Sequence, residues 1–164
     1  MELLLVRHAL AFERNARRWP DDGERPLSPR GIARAQRAAA GLKRLTEPPG
    51  RVLTSPLQRT LQTAAILTRH AHWPRAEPCN ALLPGSAAEE LLALLARMSS
   101  ARIAAVGHEP DLGEFLGTCL GAVGRGLFTF RKMGVAAVEF RGRPGPGRGR
   151  LLWFVAPRVL RAAR

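Results

Sequence analysis

Short apolar runs alternate along the chain with longer stretches whose apolar residues recur at helical spacing. Leu3-Leu4-Leu5-Val6, Val52-Leu53 and Ile103-Ala104-Ala105-Val106 are unbroken apolar runs, the pattern of strands buried on both faces. After the first run comes a polar loop over 11–28. Ser28-Pro29 then opens a helix with proline at its first position, and Ile32, Ala35, Ala39 and Leu42 share one face. Glu47-Pro48-Pro49-Gly50 stops it. Ser55-Pro56 repeats the opening signature, and the spacing predicts a helix that buries Leu57, Leu61 and Ala64 or Ala65.

Residues 76–83 read as a further strand, with Pro78 favouring a sheet edge. Ser86-Ala87-Ala88-Glu89 fits a capping box, followed by a helix presenting Leu91, Leu92, Leu94, Leu95 and Met98. A helix is expected over 111–120. Two strands, 135–140 and 151–155, are joined by a Gly/Pro/Arg-rich tract over 141–150 that reads as mobile. This alternation predicts an α/β fold: a three-layer sandwich with a mostly parallel central sheet flanked by helices. With no internal repeat and no linker, residues 1–164 are expected to form a single domain.

No apolar run is long enough to cross a bilayer, so a cytoplasmic protein without a membrane partner is expected. Cys79 and Cys119 are too few for a disulfide framework and read as buried thiols. The formal net charge of +13 invites a nucleic-acid or acidic partner. Yet only Lys43 and Lys132 are lysine, and the remaining basic residues are arginines scattered among abundant Ala, Gly and Pro. Codon bias accounts for that composition. Aromatic residues are only 5%, too sparse for base-stacking platforms, which argues against nucleic acid as the main ligand.

Two of the buried strands end in histidine, at Arg7-His8 and at Gly107-His108. In open α/β sheets, ligands gather at the carboxyl ends of strands. The strand at Val52-Leu53 leads into the helix that carries Arg59. If the three strands are neighbours, two histidines and two arginines meet in one crevice. Forked guanidinium donors suit phosphate oxygens, and a neutral imidazole beside two cations suits attack on phosphorus. Such a set needs no metal or other cofactor. Elsewhere, His70 and His72 do not share a helical face, so no metal site is expected there. Asp21-Asp22 reads as a solvated turn.

Arg7-His8-Ala9 resembles the Arg-His-Gly signature of the histidine phosphatase, or phosphoglycerate mutase-like, superfamily. The run from Ser55 through Pro56, Leu57, Gln58 and Arg59 to Ala64 is similar to its second motif. Val106-Gly107-His108-Glu109 is similar to its third. The run Arg25-Pro26-Leu27-Ser28-Pro29-Arg30-Gly31 and the stretch Gly107 to Leu112 resemble the short SixA-type phosphohistidine phosphatases. This resemblance implies that His8 attacks phosphorus and forms a phosphohistidine intermediate. Arg7 and Arg59 would clamp the phosphoryl oxygens, and His108 would donate a hydrogen bond to the same group. Arg25 is either a further substrate contact or a solvated loop residue, the second being favoured. Ala9 replaces the usual glycine and would be strained if its φ were positive.

Larger members of the family carry an acidic residue after the third strand, but residues 80–85 hold no carboxylate here. Glu89 and Glu90 are the nearest candidates for a general acid. Glu89 is already assigned to the capping box. A phosphate ester benefits from an acid worth about 10²–10⁴-fold, whereas a phosphohistidine leaves as an easily expelled imidazole. A phosphorylated histidine on a protein is therefore the expected substrate. A phosphatase of small phosphorylated metabolites, or a non-catalytic module binding phosphorylated or nucleic-acid ligands, are the alternatives. Arg14, Arg17 and Arg18 are candidate contacts for an acidic partner or a merely solvated loop.

Overall fold

The first apolar run forms strand β1, Glu2–Arg7, with its four central residues buried. The computed structural model describes residues 1–163 except Val123 and Arg125. After β1 come α1 (Pro29–Leu45), β2 (Arg51–Thr54), α2 (Gln58–Ala71) and the two-residue strand β3 (Glu77–Pro78). Then follow α3 (Ala88–Leu95), β4 (Arg102–Gly107), α4 (Asp111–Leu120), β5 (Val135–Glu139), β6 (Arg150–Val155) and α5 (Pro157–Ala162). The strands form one sheet in the order β3-β2-β4-β1-β5-β6. The first four in that order pair in parallel, and β5 and β6 join antiparallel, so the sheet is mostly parallel as the sequence predicts.

Alternation along β1 sends its side chains into two cores. Leu4 and Val6 pack with Ala35, Leu42, Leu67 and Leu160, which come from α1, α2 and α5. Leu3 and Leu5 face Leu91, Leu95, Phe115 and Leu116 of α3 and α4 on the opposite side. The result is helix, sheet, helix. Each fully buried leucine contributes roughly 1.5–3 kcal/mol, and together they fix the sheet that carries the crevice.

Helix α1 follows its sequence pattern. Ser28 accepts a hydrogen bond from the Gly31 backbone N–H, Pro29 occupies the first turn, and Ala35, Ala39 and Leu42 are buried. Several other expectations are corrected. Ser55 is not the cap of α2: the helix starts at Gln58 with Leu57 preceding it. Its buried face is Arg59, Thr60, Thr63, Ala64 and Leu67 rather than Leu57 and Leu61, because this face turns toward the crevice at the strand ends. The expected strand over 76–83 is only β3, at the sheet edge, and continues into a 3₁₀ turn at Asn80–Leu82.

The capping box does not form. Ala87 precedes α3, and the Ser86 hydroxyl donates to the Asn80 carbonyl instead, at 3.0 Å. Leu94 of α3 faces solvent. The tract over 141–150 is tied down: the Gly147 and Gly149 N–H groups donate to the Thr118 and Cys119 carbonyls at 2.9 and 2.8 Å. Cys79 and Cys119 are both free and buried. No helix is long and apolar enough to cross a membrane among the described residues.

Candidate active site

The parallel order β2-β4-β1 sets the carboxyl ends of the three strands side by side. Arg7 closes β1 and His8 follows it. Gly107 closes β4 and His108 follows. Arg59 stands on the second residue of α2, just beyond β2. The two imidazoles lie with their ring centroids 5.2 Å apart. His8, His108 and Arg59 are all at least 95% buried. The crevice expected from the sequence therefore exists, and it brings together all four residues of the expected constellation.

Each histidine has one nitrogen fixed. Nδ1 of His8 is 2.7 Å from the Ala9 carbonyl, which can only accept, so Nδ1 carries the proton and Nε2 presents a lone pair. Ala9 has a negative φ, so the methyl that replaces the usual glycine is unstrained. Its N–H donates to the Thr63 hydroxyl at 3.0 Å, tying the loop after β1 to α2. Nε2 of His108 is 2.9 Å from the Ser55 hydroxyl, while its Nδ1 is buried without a partner.

The charged groups lie close around these rings. Burial, then Lys132, His108 and Arg59, push the His8 imidazole down to about 2, despite its backbone carbonyl partner. Burial, then Arg59, Lys132 and Arg7, push His108 down to about 3. Both rings are neutral at ordinary pH. Burial also lowers Arg7 and Arg59 from their usual values, and the Nε of each is buried with no partner. Unpaired buried donors of this kind cost free energy unless a ligand meets them. Three buried atoms without a partner, the Nε of Arg7 and of Arg59 and the Nδ1 of His108, belong to residues of one crevice.

Lys132 lies outside every motif in the sequence, yet its Nζ lies 3.2 Å from Nε2 of His8. Its position follows from the chain entering β5. The Phe130 carbonyl accepts from the Arg7 guanidinium, and the Phe130 N–H donates to the Glu109 carboxylate at 2.6 Å. Met133 takes a left-handed φ of 66°, and its N–H donates to the Arg7 carbonyl, turning Lys132 over the end of β1. Burial, followed by Arg7, Arg25 and Arg59, draws the ammonium down to about 8. The one signal available in sequence is that a lysine survives here in an arginine-dominated chain.

Asp22 is not the solvated turn residue it resembles. It accepts from Arg25 at 2.8 Å, and its carboxylate and carbonyl hold Arg59 at 3.4 and 2.9 Å. Arg25 in turn donates to the Phe12 carbonyl at 2.7 Å and is only 16% exposed, so its head is spent on orienting Asp22 and the favoured solvated reading is corrected. Glu89 and Glu90 are exposed on α3 and bond to none of the site residues. His72 is exposed, and no cluster of three potential metal ligands occurs among the described residues. Arg18 lies over the rings of Phe12 and Trp19, while Arg14 pairs loosely with Asp22 at 3.8 Å.

Comparison with known proteins bears on the family and the fold. A model of the histidine phosphatase superfamily (branch 1) matches residues 3–82, the span containing Arg7, His8 and Arg59. An uncharacterized protein of Picosynechococcus sp. is 37% identical over 118 residues, covering 70% of each chain. The structure of the protein histidine phosphatase SixA complexed with tungstate superposes with a TM-score of 0.83 at 25% identity, covering 98% of this chain and 99% of that one. A phosphoserine phosphatase mutant of Entamoeba histolytica in complex with phosphoserine shares the fold, with a TM-score of 0.69 at 17% identity over 97% of this chain and 98% of that one.

Proposed function

Because the chain belongs to the histidine phosphatase superfamily and to its SixA-type branch, we propose that it is a metal-independent phosphatase acting on phosphohistidine carried by a protein. The observation that carries this reading is the polarity of His8: Nδ1 tied to a carbonyl and a lone pair on Nε2 met by Lys132, in a ring held neutral by burial and the surrounding cations.

Nε2 attacks phosphorus in line, forming the N–P bond as the bond to the leaving group breaks. The unpartnered Nε atoms of Arg7 and Arg59 meet the phosphoryl oxygens, and the Nδ1 of His108 donates to the same group. For that donation Nδ1 must bear the proton, so the Ser55 hydroxyl donates to Nε2 of His108. Water then attacks the phosphohistidine enzyme, breaks the N–P bond and releases phosphate, returning His8 to its neutral form.

Lys132 touches the attacking nitrogen in the free enzyme. In an in-line displacement the leaving group departs on the far side of phosphorus. An ammonium on the attacking side is therefore placed to neutralise equatorial oxygens once phosphorus displaces it from Nε2. It is not placed to protonate the leaving group. With Glu89 and Glu90 in solvent, neither expected acid reaches the crevice to protonate an alkoxide, which favours the imidazole of a phosphohistidine.

The test is hydrolysis of phosphohistidine and of p-nitrophenyl phosphate, each in EDTA. Faster turnover of phosphohistidine supports the proposal. Equal or faster turnover of the ester shifts the assignment to small phosphorylated metabolites, and loss of activity in EDTA contradicts the metal-independent scheme.

A further inference from the structure

Beside the catalytic crevice, Arg7 and Lys132 also line one end of a cleft of about 640 Å³. Four more cations line it: Arg34 of α1, Arg131 before β5, and Arg158 and Arg161 of α5. No carboxylate lines it. Excess arginine is general in this chain, but elsewhere part of it is neutralised: Arg51 meets Glu77, Arg102 meets Glu2, and Arg150 meets Glu139. Among the described residues, none of the six cleft cations forms an ion pair, and the heads of Arg34, Arg131, Arg158 and Arg161 donate no side-chain hydrogen bond. Burial and the like charges of Arg34 and Arg37 depress the guanidinium of Arg161. Repulsion of this kind in the free protein is relieved by an anion.

The floor narrows the choice of anion. Leu10, Met133, Ala156 and Pro157 supply apolar surface, and no aromatic ring lines the cleft. A nucleic acid would find no stacking platform there. An inorganic polyanion would gain nothing from the apolar floor. A polypeptide segment mixing carboxylates with apolar side chains satisfies both, because separate guanidinium forks on three elements suit separate carboxylates. We infer that this cleft is a docking groove for an acidic stretch of polypeptide flanking the phosphorylated side chain of a protein substrate. The inference rests on the phosphatase reading of the crevice and adds a substrate class to it.

The test compares two phosphohistidine peptides, identical except that the flanking residues are Asp and Glu in one and Asn and Gln in the other. The wild-type chain is expected to prefer the acidic peptide by about tenfold in kcat/KM, chiefly through KM, with the preference shrinking as salt is raised. The triple variant Arg34→Gln, Arg158→Gln, Arg161→Gln should lose the preference and keep its turnover of free phosphohistidine. Equal kcat/KM for the two peptides in the wild type overturns the groove. Stronger inhibition by tripolyphosphate than by a phosphate-free acidic peptide, abolished in the triple variant, overturns the peptide assignment. If no phosphohistidine compound is hydrolysed, the phosphatase reading fails by itself. Anisotropy of a labelled, phosphate-free acidic peptide then decides the groove independently, by whether it binds the wild type more tightly than the triple variant.

Discussion

The Nζ of Lys132 lies 3.2 Å from Nε2 of His8, on the one ring nitrogen that the Ala9 carbonyl leaves free. Lys132 thus covers that lone pair in the resting site, and on the proposed function its charge would stay beside a phosphoryl group that took its place. Removing one such donor from a preorganised anion site costs about 10²–10³-fold in kcat. Lys132→Met is expected to lose activity within that range, mostly in kcat, with Lys132→Arg retaining part of it. Steady-state kinetics with phosphohistidine check this, and a Met variant as fast as wild type would show the contact to be incidental.

The depressed ammonium sets an alkaline limit. Lys132 titrates at about 8, so above that pH the crevice loses a cation and kcat/KM should fall. Replacing it by arginine, which stays charged, should move the limb to higher pH. A pH–rate profile of both proteins decides the point.

Stability in acid follows from the histidines. Both have folded values far below the unfolded 6.5, at about 2 for His8 and about 3 for His108. In that window the unfolded chain binds more protons than the folded one, so stability is complete above about pH 6.5 and declines as pH falls below it. Thermal melts across that range should show Tm dropping toward acid. The drop should be smaller in His8→Asn and His108→Asn.

Ser55 acts through His108. Its hydroxyl is that ring's one protein partner among the described residues, and Ser55→Ala would free the tautomer that keeps a proton on Nδ1. A loss of up to about tenfold in kcat, matching one hydrogen bond, is expected. Ser55→Thr, which keeps a hydroxyl, should restore most of it. Recovery by threonine separates this positioning role from simple loss of packing.

Gly31 links the helix layer to the site. A Cβ there would stand 1.9 Å from the Leu10 carbonyl oxygen, in the loop that follows His8 and Ala9. Gly31→Ala must push that loop away and is expected to cost about 1–3 kcal/mol. Denaturant unfolding measures the loss, and activity should fall with it.

Much of this molecule is legible locally, and what escapes is non-local. The start of α1 is carried by neighbours in sequence, Ser28 and Pro29, and by a regular apolar face. The strand ends at Arg7-His8 and Gly107-His108 stand out for the same reason. Ser55 looks like a helix cap but faces His108, 53 positions away. Asp22 looks like a turn residue but anchors Arg59, 37 positions on. The buried face of α2 carries Arg59, Thr60 and Thr63 because it forms a wall of the crevice, a demand that hydrophobic spacing does not encode. Lys132 reaches His8 through a left-handed turn at Met133, a conformation its side chain does not announce.

On the proposed function, His8 carries the phosphoryl group during turnover. Rapid mixing of the protein with radiolabelled phosphohistidine peptide, quenched in alkali within a single turnover, tests it most directly. A transient, acid-labile and alkali-stable label is expected on His8, forming and decaying at rates consistent with turnover and absent from His8→Ala. Turnover without any labelled protein, or hydrolysis persisting in His8→Ala, would contradict it.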